Sequence, residues 1–282
     1  MSEQPVQNWR QLTPGAWVLG AQASQIAPTV DYCRYQSIKV ETREGIAILT
    51  INRPEKMNAV DAQLHSELAR IWQDIAQDQG VRAVVLTAAG RVFCGGPAPE
   101  LFQQMRSDRS FVRAIMEEAR QLIRNMLEVR QPIIAAVNGD ALSLGATLVL
   151  FCDIIIAADT ARLADTHVRY GVVAGDGGAI IWPLLVGIAR AKEFLLTGDF
   201  VSAGEAERIG LINHVVPADQ VMTRALEIAR RLASGPPQAI QGTKLSLNKV
   251  LWERVNLIFD TCLALEEQTI YSLGQQATQP LS

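Results

Sequence analysis

Three apolar runs, "RAVVLTAA", "PIIAAVNG" and "DIIIAAD", recur along the chain with helix-length amphipathic segments between them. This alternation narrows the fold more than any other feature. Strands joined through helices pair in parallel by right-handed crossovers, with both sheet faces covered. Upstream, "IKVETREGIAILTINRP" sets two apolar-rich runs around "REG", which predicts a hairpin turn, and Pro54 ends the second strand. In "AVDAQLHSELARIWQDIAQD", Leu64, Leu68, Ile71, Trp72 and Ile75 fall on one helical face with Asp61 as N-cap, which puts His65 on the polar side. The pattern becomes mostly helical after Gly187 and changes character near residue 200. The expected organisation is a polar extension over 1–36, surface-draped or partly disordered, an α/β core over 37–200, and a helical region over 201–282.

Charge and cysteine usage exclude several function classes. A net charge of -3 with pI near 5.7 provides no basic footprint for nucleic acid or a membrane surface. No stretch reaches the roughly 18 uninterrupted apolar residues of a membrane span, and "MSEQPVQNWRQLTPG" has no secretory pattern. Cys33, Cys94, Cys152 and Cys262 are widely spaced, without metal-ligand spacing, so reduced thiols, no metal and a cytoplasmic location are expected.

Two strand ends carry small residues: Gly95-Gly96 in "VFCGGPAPEL", and Gly139 to Gly145. Glycine serves ordinary turns, but recurrence at adjacent strand exits suggests more. In open α/β sheets ligands bind beyond the carboxyl ends of strands, and two backbone N–H groups converging on one oxygen make an oxyanion hole.

The blocks "LTINRPEKMNAV", "RAVVLTAAGRVFCGG", "PIIAAVNGDALSLGATLVLFCDIIIAAD" and "LLTGDFVSAGEAERIGLINHVV" resemble, in that order and spacing, the crotonase (enoyl-CoA hydratase/isomerase) superfamily over residues 38 to 270. The resemblance implies a crotonase-like spiral of ββα repeats with a helical C-terminal trimerisation region, a homotrimer or dimer of trimers, and an acyl-CoA thioester as ligand. Coenzyme A would enter as part of the substrate, with no separate cofactor. Carried over by motif, the oxyanion donors are the N–H groups of Gly95 and Leu144, with Ser143 and Leu144 standing where the family has glycines. Arg53, Lys56 and Asn58 stand in the turn that skirts the nucleotide half of CoA, and Lys56 is placed to meet a phosphate. Ala98 replaces a common aspartate.

Both glutamates of the family hydratases are replaced, one by Thr147 and one by His167 in "LADTH". His167 can move a proton near neutral pH where a threonine cannot, and the expectation is activity rising through roughly 6.5. Asp165 and Asp176 are alternative orienting acids; Asp140 and Glu100 are weaker candidates. Met105, Phe111, Ile115, Met116 and Trp182 line an acyl pocket or fill core, and His65 and His214 read as structural. The leading expectation is an enoyl-CoA hydratase-type lyase. Alternatives are an enoyl-CoA isomerase, a C–C bond hydrolase or retro-aldol lyase on the same scaffold, and a non-catalytic acyl-CoA binder.

Overall fold

The computed structural model describes residues 29–278. Strands β1 (Ile38–Arg43) and β2 (Ile46–Ile51) form the expected hairpin, pairing Arg43 with Ile46. Its two turn residues, Glu44 and Gly45, both have positive φ (52° and 74°), the twist that tight hairpins need. Helix α1 (Ala62–Gln77) starts where Asp61 accepts the Leu64 N–H at 2.9 Å, and it buries the five apolar residues of the predicted face. The chain then runs through β3 (Ala83–Ala88), α2 (Pro99–Ser107), α3 (Arg109–Glu128), β4 (Ile133–Val137), β5 (Ala141–Leu142), α4 (Leu144–Leu150) and β6 (Ile154–Ala158). After β7 (Arg162–Ala164) come α5 (Gly178–Val186), α6 (Ile188–Thr197), β8 (Val201–Ser202), α7 (Ala203–Arg208), β9 (His214–Val216), α8 (Val221–Ala233) and α9 (Pro237–Thr278).

The larger sheet has the order β1-β2-β3-β4-β6-β9, parallel from β2 onward, and a small sheet has the order β5-β7-β8. β3 and β4 are buried along their whole length, as strands covered on both faces must be. The α/β part runs past residue 200, because β9 completes the edge of the main sheet and β8 that of the small one. His214, at the start of β9, is only half-buried.

Residues 1–28, most of the expected extension, lie outside the described residues. The segment after them is docked rather than draped: Tyr32 donates to Asp78 at 2.9 Å, buried Tyr35 donates to Asp74 at 2.5 Å, and Arg34 pairs with Asp74. Glu67 on α1 accepts the N–H groups of Gln36, Ser37 and Ile38 at 2.8, 2.9 and 3.1 Å.

One helix decides what covers the site. The 42-residue α9 packs on α2, α3 and α5. Its buried Lys244 donates to the Gln131 carbonyl at 2.9 Å and pairs with Asp153 at 2.8 Å, while Asn248 donates to the Leu127 carbonyl at 2.9 Å. These bonds anchor its first half to the core, and its distal half brings Glu266 to within 3.9 Å of His167. Among the described residues no helix is long and apolar enough to cross a membrane.

Candidate active site

His167 opens a 3-10 turn, His167–Tyr170, just past β7. Its Nδ1 lies 2.6 Å from Asp165 Oδ1, whose other oxygen is buried, without a hydrogen-bond partner, against Gly178. A Cβ on Gly178 would fall 2.0 Å from that oxygen, so the first residue of α5 has to be glycine for the acid to sit there. On the opposite edge of the ring, Nε2 lies 3.4 Å from Asp176 Oδ2 and 3.9 Å from Glu266 Oε1. Thr147 completes the cluster by donating its hydroxyl to Asp176 Oδ1 at 2.9 Å. Both aspartates offered by the sequence therefore flank the imidazole, one at each nitrogen. The threonine serves Asp176.

The charges follow from burial and proximity. Burial alone would lower the pKa of His167, but the charges of Asp165 and Asp176 outweigh it and hold the ring protonated well above 6.5. The expected rise in activity through imidazole's ordinary range is corrected accordingly. Burial opposes ionisation of Asp176, yet the adjacent imidazolium and the Thr147 hydrogen bond keep its pKa below the usual carboxylate value. Glu266 goes the other way: burial pushes it up to about 8, with Asp176 and Asp165 adding to the rise against the opposing pull of His167. At neutral pH the cluster holds an ionised Asp176 and a protonated Glu266 side by side, the separation of roles that acid and base catalysis needs.

His167, Asp176 and Glu266 line a small cavity of about 50 Å³. Leu101, Met105, Ile115 and Met116 give it apolar walls. Phe111 is half-buried against the core instead, and Trp182 is buried against the Phe194 ring. His65 lines the same cavity, and only its expected place on a polar face is corrected: it is 4% exposed, with Nδ1 2.7 Å from Glu118 Oε2 on α3. The face counted as polar is covered by α3. Glu266 was missed because nothing in α9's sequence marks which of its acids turns inward.

The backbone donors fare unequally. The Gly95 N–H donates to the Met57 carbonyl at 3.0 Å, so a ligand oxygen would have to compete for it. Leu144 is the first residue of α4, where an N–H has no partner within the helix, and it lines the cavity. Ser143, in a family glycine position, keeps a glycine-like φ of 50° and bonds Thr166 at 2.6 Å. Gly145 abuts Cys94, whose buried thiol is pushed up to about 11 by desolvation.

The turn residues expected to meet CoA are occupied internally. Asn58 pins the turn, accepting from Arg53 N–H at 2.8 Å and donating to the Ala89 and Val92 carbonyls at 2.8 and 2.7 Å. Arg53 pairs with Asp61 at 2.5 Å and is nearly buried. Lys56 remains at the surface, 3.3 Å from Glu100, and Asp140 pairs with Arg162 at 2.6 Å. Beyond the carboxyl ends of β2, β3, β4 and β6 lies a polar groove of about 1180 Å³, with Arg91, Asn138 and Arg162 among its walls. One donor atom each from Asp165, His167 and Asp176 lies within 4.8 Å of the others, and the imidazolium between the two carboxylates balances their charge.

The Enoyl-CoA hydratase/isomerase family model matches residues 41–279. A short-chain-enoyl-CoA hydratase of Clostridium acetobutylicum is 33% identical over 233 residues, 82% of this chain and 87% of that protein. Among solved structures, an enoyl-CoA hydratase/isomerase from Mycobacterium paratuberculosis superposes with a TM-score of 0.84 at 36% identity, covering 87% of this chain and 98% of that one. A β-diketone hydrolase from the cyanobacterium Anabaena, bound to (S)-3-oxocyclohexyl acetic acid, superposes with a TM-score of 0.81 at 30% identity, covering 86% and 97%. The fold and the ordered motifs agree with these likenesses: the chain belongs to the enoyl-CoA hydratase/isomerase family.

Proposed function

We propose that the protein hydrolyses a carbon–carbon bond in a 1,3-dicarbonyl compound. The observation that carries this reading is the convergence of His167, Asp176 and Glu266 on one small cavity, with an imidazolium, a carboxylate and a protonated acid at neutral pH. Such a set suits a reaction that polarises a carbonyl, deprotonates a water and then protonates carbon. The imidazolium donates to one substrate carbonyl while Asp176 takes a proton from water as its oxygen adds to that carbon. Collapse of the tetrahedral adduct breaks the bond to the central carbon and leaves a carboxylic acid and an enolate. The Leu144 N–H steadies charge on oxygen, and Glu266 protonates the enolate carbon. The proton gained by Asp176 restores Glu266, so one water is consumed and no oxidant or reductant is needed. His65, held by Glu118, supplies a further hydrogen-bonding group on the same wall. The likeness to a solved β-diketone hydrolase supports the assignment.

Hydration of an enoyl-CoA is the second reading, favoured by the polar groove beyond the strand ends and by the hydratase among the relatives. There Lys56 would meet a CoA phosphate and Gly95 and Leu144 the thioester oxygen. A 3-oxoacyl thioester is itself a 1,3-dicarbonyl, so the groove serves both readings. The deciding experiment incubates the purified protein with pentane-2,4-dione and longer diones, 3-oxoacyl-CoA and crotonyl-CoA, and separates the products. Acid plus methyl ketone from a dione supports the hydrolase, whereas turnover of crotonyl-CoA alone overturns it. A homotrimer or dimer of trimers in the cytoplasm is the accompanying proposal, supported by the exposed Leu247, Val250 and Leu257 on α9.

A further inference from the structure

Outside the catalytic cavity, a groove of about 480 Å³ runs along the far side of α2. α2 separates the two spaces: Leu101 and Met105 face the cavity, whereas Phe102 and Arg106 face the groove. Pro97, just before the helix, lines both. The opposite wall of the groove is Tyr170, the last residue of the short turn that begins with His167. Phe102 and Tyr170 meet across the cleft with ring centroids 5.8 Å apart and planes tilted by 59°. The aromatic pair therefore joins α2 to the very turn that carries the imidazole. Arg106 sets its guanidinium 5.9 Å from the Phe102 ring centre, and its Nη2 donates to the Leu273 carbonyl of α9 at 3.0 Å.

The two volumes constrain the substrate. A cavity of about 50 Å³ is too small to hold the reacting carbonyls together with a bulky substituent. Any substrate whose carbonyl reaches His167 must keep its remainder elsewhere, and the space sharing a wall with the cavity is the larger, mostly apolar groove. We infer that this groove receives the distal part of the substrate, which is a 1,3-dicarbonyl bearing an apolar, ring-sized substituent, with Phe102 and Tyr170 as its specificity-determining residues. The inference rests on the hydrolytic reading.

The test separates binding from turnover. Inert monoketones, from butan-2-one through longer 2-alkanones to 4-phenylbutan-2-one, are titrated calorimetrically into the full-length protein. Affinity tightens by about fourfold for each methylene buried in the groove. Phe102→Ala and Tyr170→Ala flatten that gradient, and Phe102→Leu, which keeps an apolar side chain, retains most of it; melting curves confirm that each variant is folded. A wild-type affinity independent of tail length, or a gradient untouched by both alanine variants, overturns the inference. Because monoketones need no turnover, a protein that shows the gradient but cleaves no dione retains the groove and loses the reaction. One that cleaves diones with no gradient loses the groove alone.

Discussion

Glu266→Gln isolates a buried carboxyl held far from its ordinary range. Glu266 is 4% exposed, and its carboxyl is pushed up to about 8 from 4.5. Because the folded value is the higher one, the neutral form stabilises the native state fully below pH 4.5. That contribution declines as pH rises and is gone above about 8. At about 1.4 kcal/mol per pH unit between those limits, the loss is on the order of 5 kcal/mol. Glutamine keeps the shape and stays neutral, so its stability carries no such loss. Urea unfolding of both proteins from pH 4 to 9 measures the difference directly. The curves should coincide near pH 4.5 and separate progressively, with the variant the more stable one at pH 9. Its turnover should nevertheless fall by about 10²- to 10⁴-fold, the typical cost of removing one proton donor. A stability difference that stays constant with pH would refute the assignment of Glu266 as a buried, protonated acid.

Activity of the wild-type protein should be flat through pH 6.5, because His167 keeps its proton there, and should fall as pH passes about 8 and Glu266 ionises; a pH-rate profile checks both limbs. His167→Gln should remove most turnover and cost about 3 kcal/mol or more at neutral pH, since Asp165 and Asp176 then face each other without a cation, as denaturant titration would report. Gly145→Ala places a Cβ 2.4 Å from the buried Cys94 Cβ and should destabilise the fold by about 1–3 kcal/mol in thermal melts. Prolonged dialysis against a chelator should leave dione turnover unchanged, because His167, Asp176, Glu266 and water carry every proposed step.

What the sequence made legible follows from the range over which each signal acts. Strand-helix alternation reported β3, β4 and β6 in parallel, because a strand buried on both faces is written as an unbroken apolar run. The Asp61 cap and the hairpin turn at Glu44-Gly45 were readable because their chemistry is local. His167 could be found since histidine is scarce and its motif position is chemically loaded, and Asp165 and Asp176 lie within nine residues of it. Glu266 and the His65–Glu118 pair were not legible. Each depends on which helix covers which, and the orientation of α9 is fixed by Lys244 and Asn248 reaching carbonyls on the far side of the core. The internal use of Asn58 was hidden for the same reason, since its partners are set by how the turn folds back on the segment after β3, whereas Arg53 is taken up within its own turn by Ala59 and Asp61.

The central claim is that water attacks a dicarbonyl carbon beside His167, and its most direct test is turnover of a 1,3-dione in heavy-oxygen water followed by mass spectrometry of the products. The account predicts one heavy oxygen in the carboxylic acid for each bond cleaved, at a rate reduced by about 10²-fold or more in Asp176→Asn. Dione left uncleaved in the presence of active protein, or an acid product formed without the label, would contradict it.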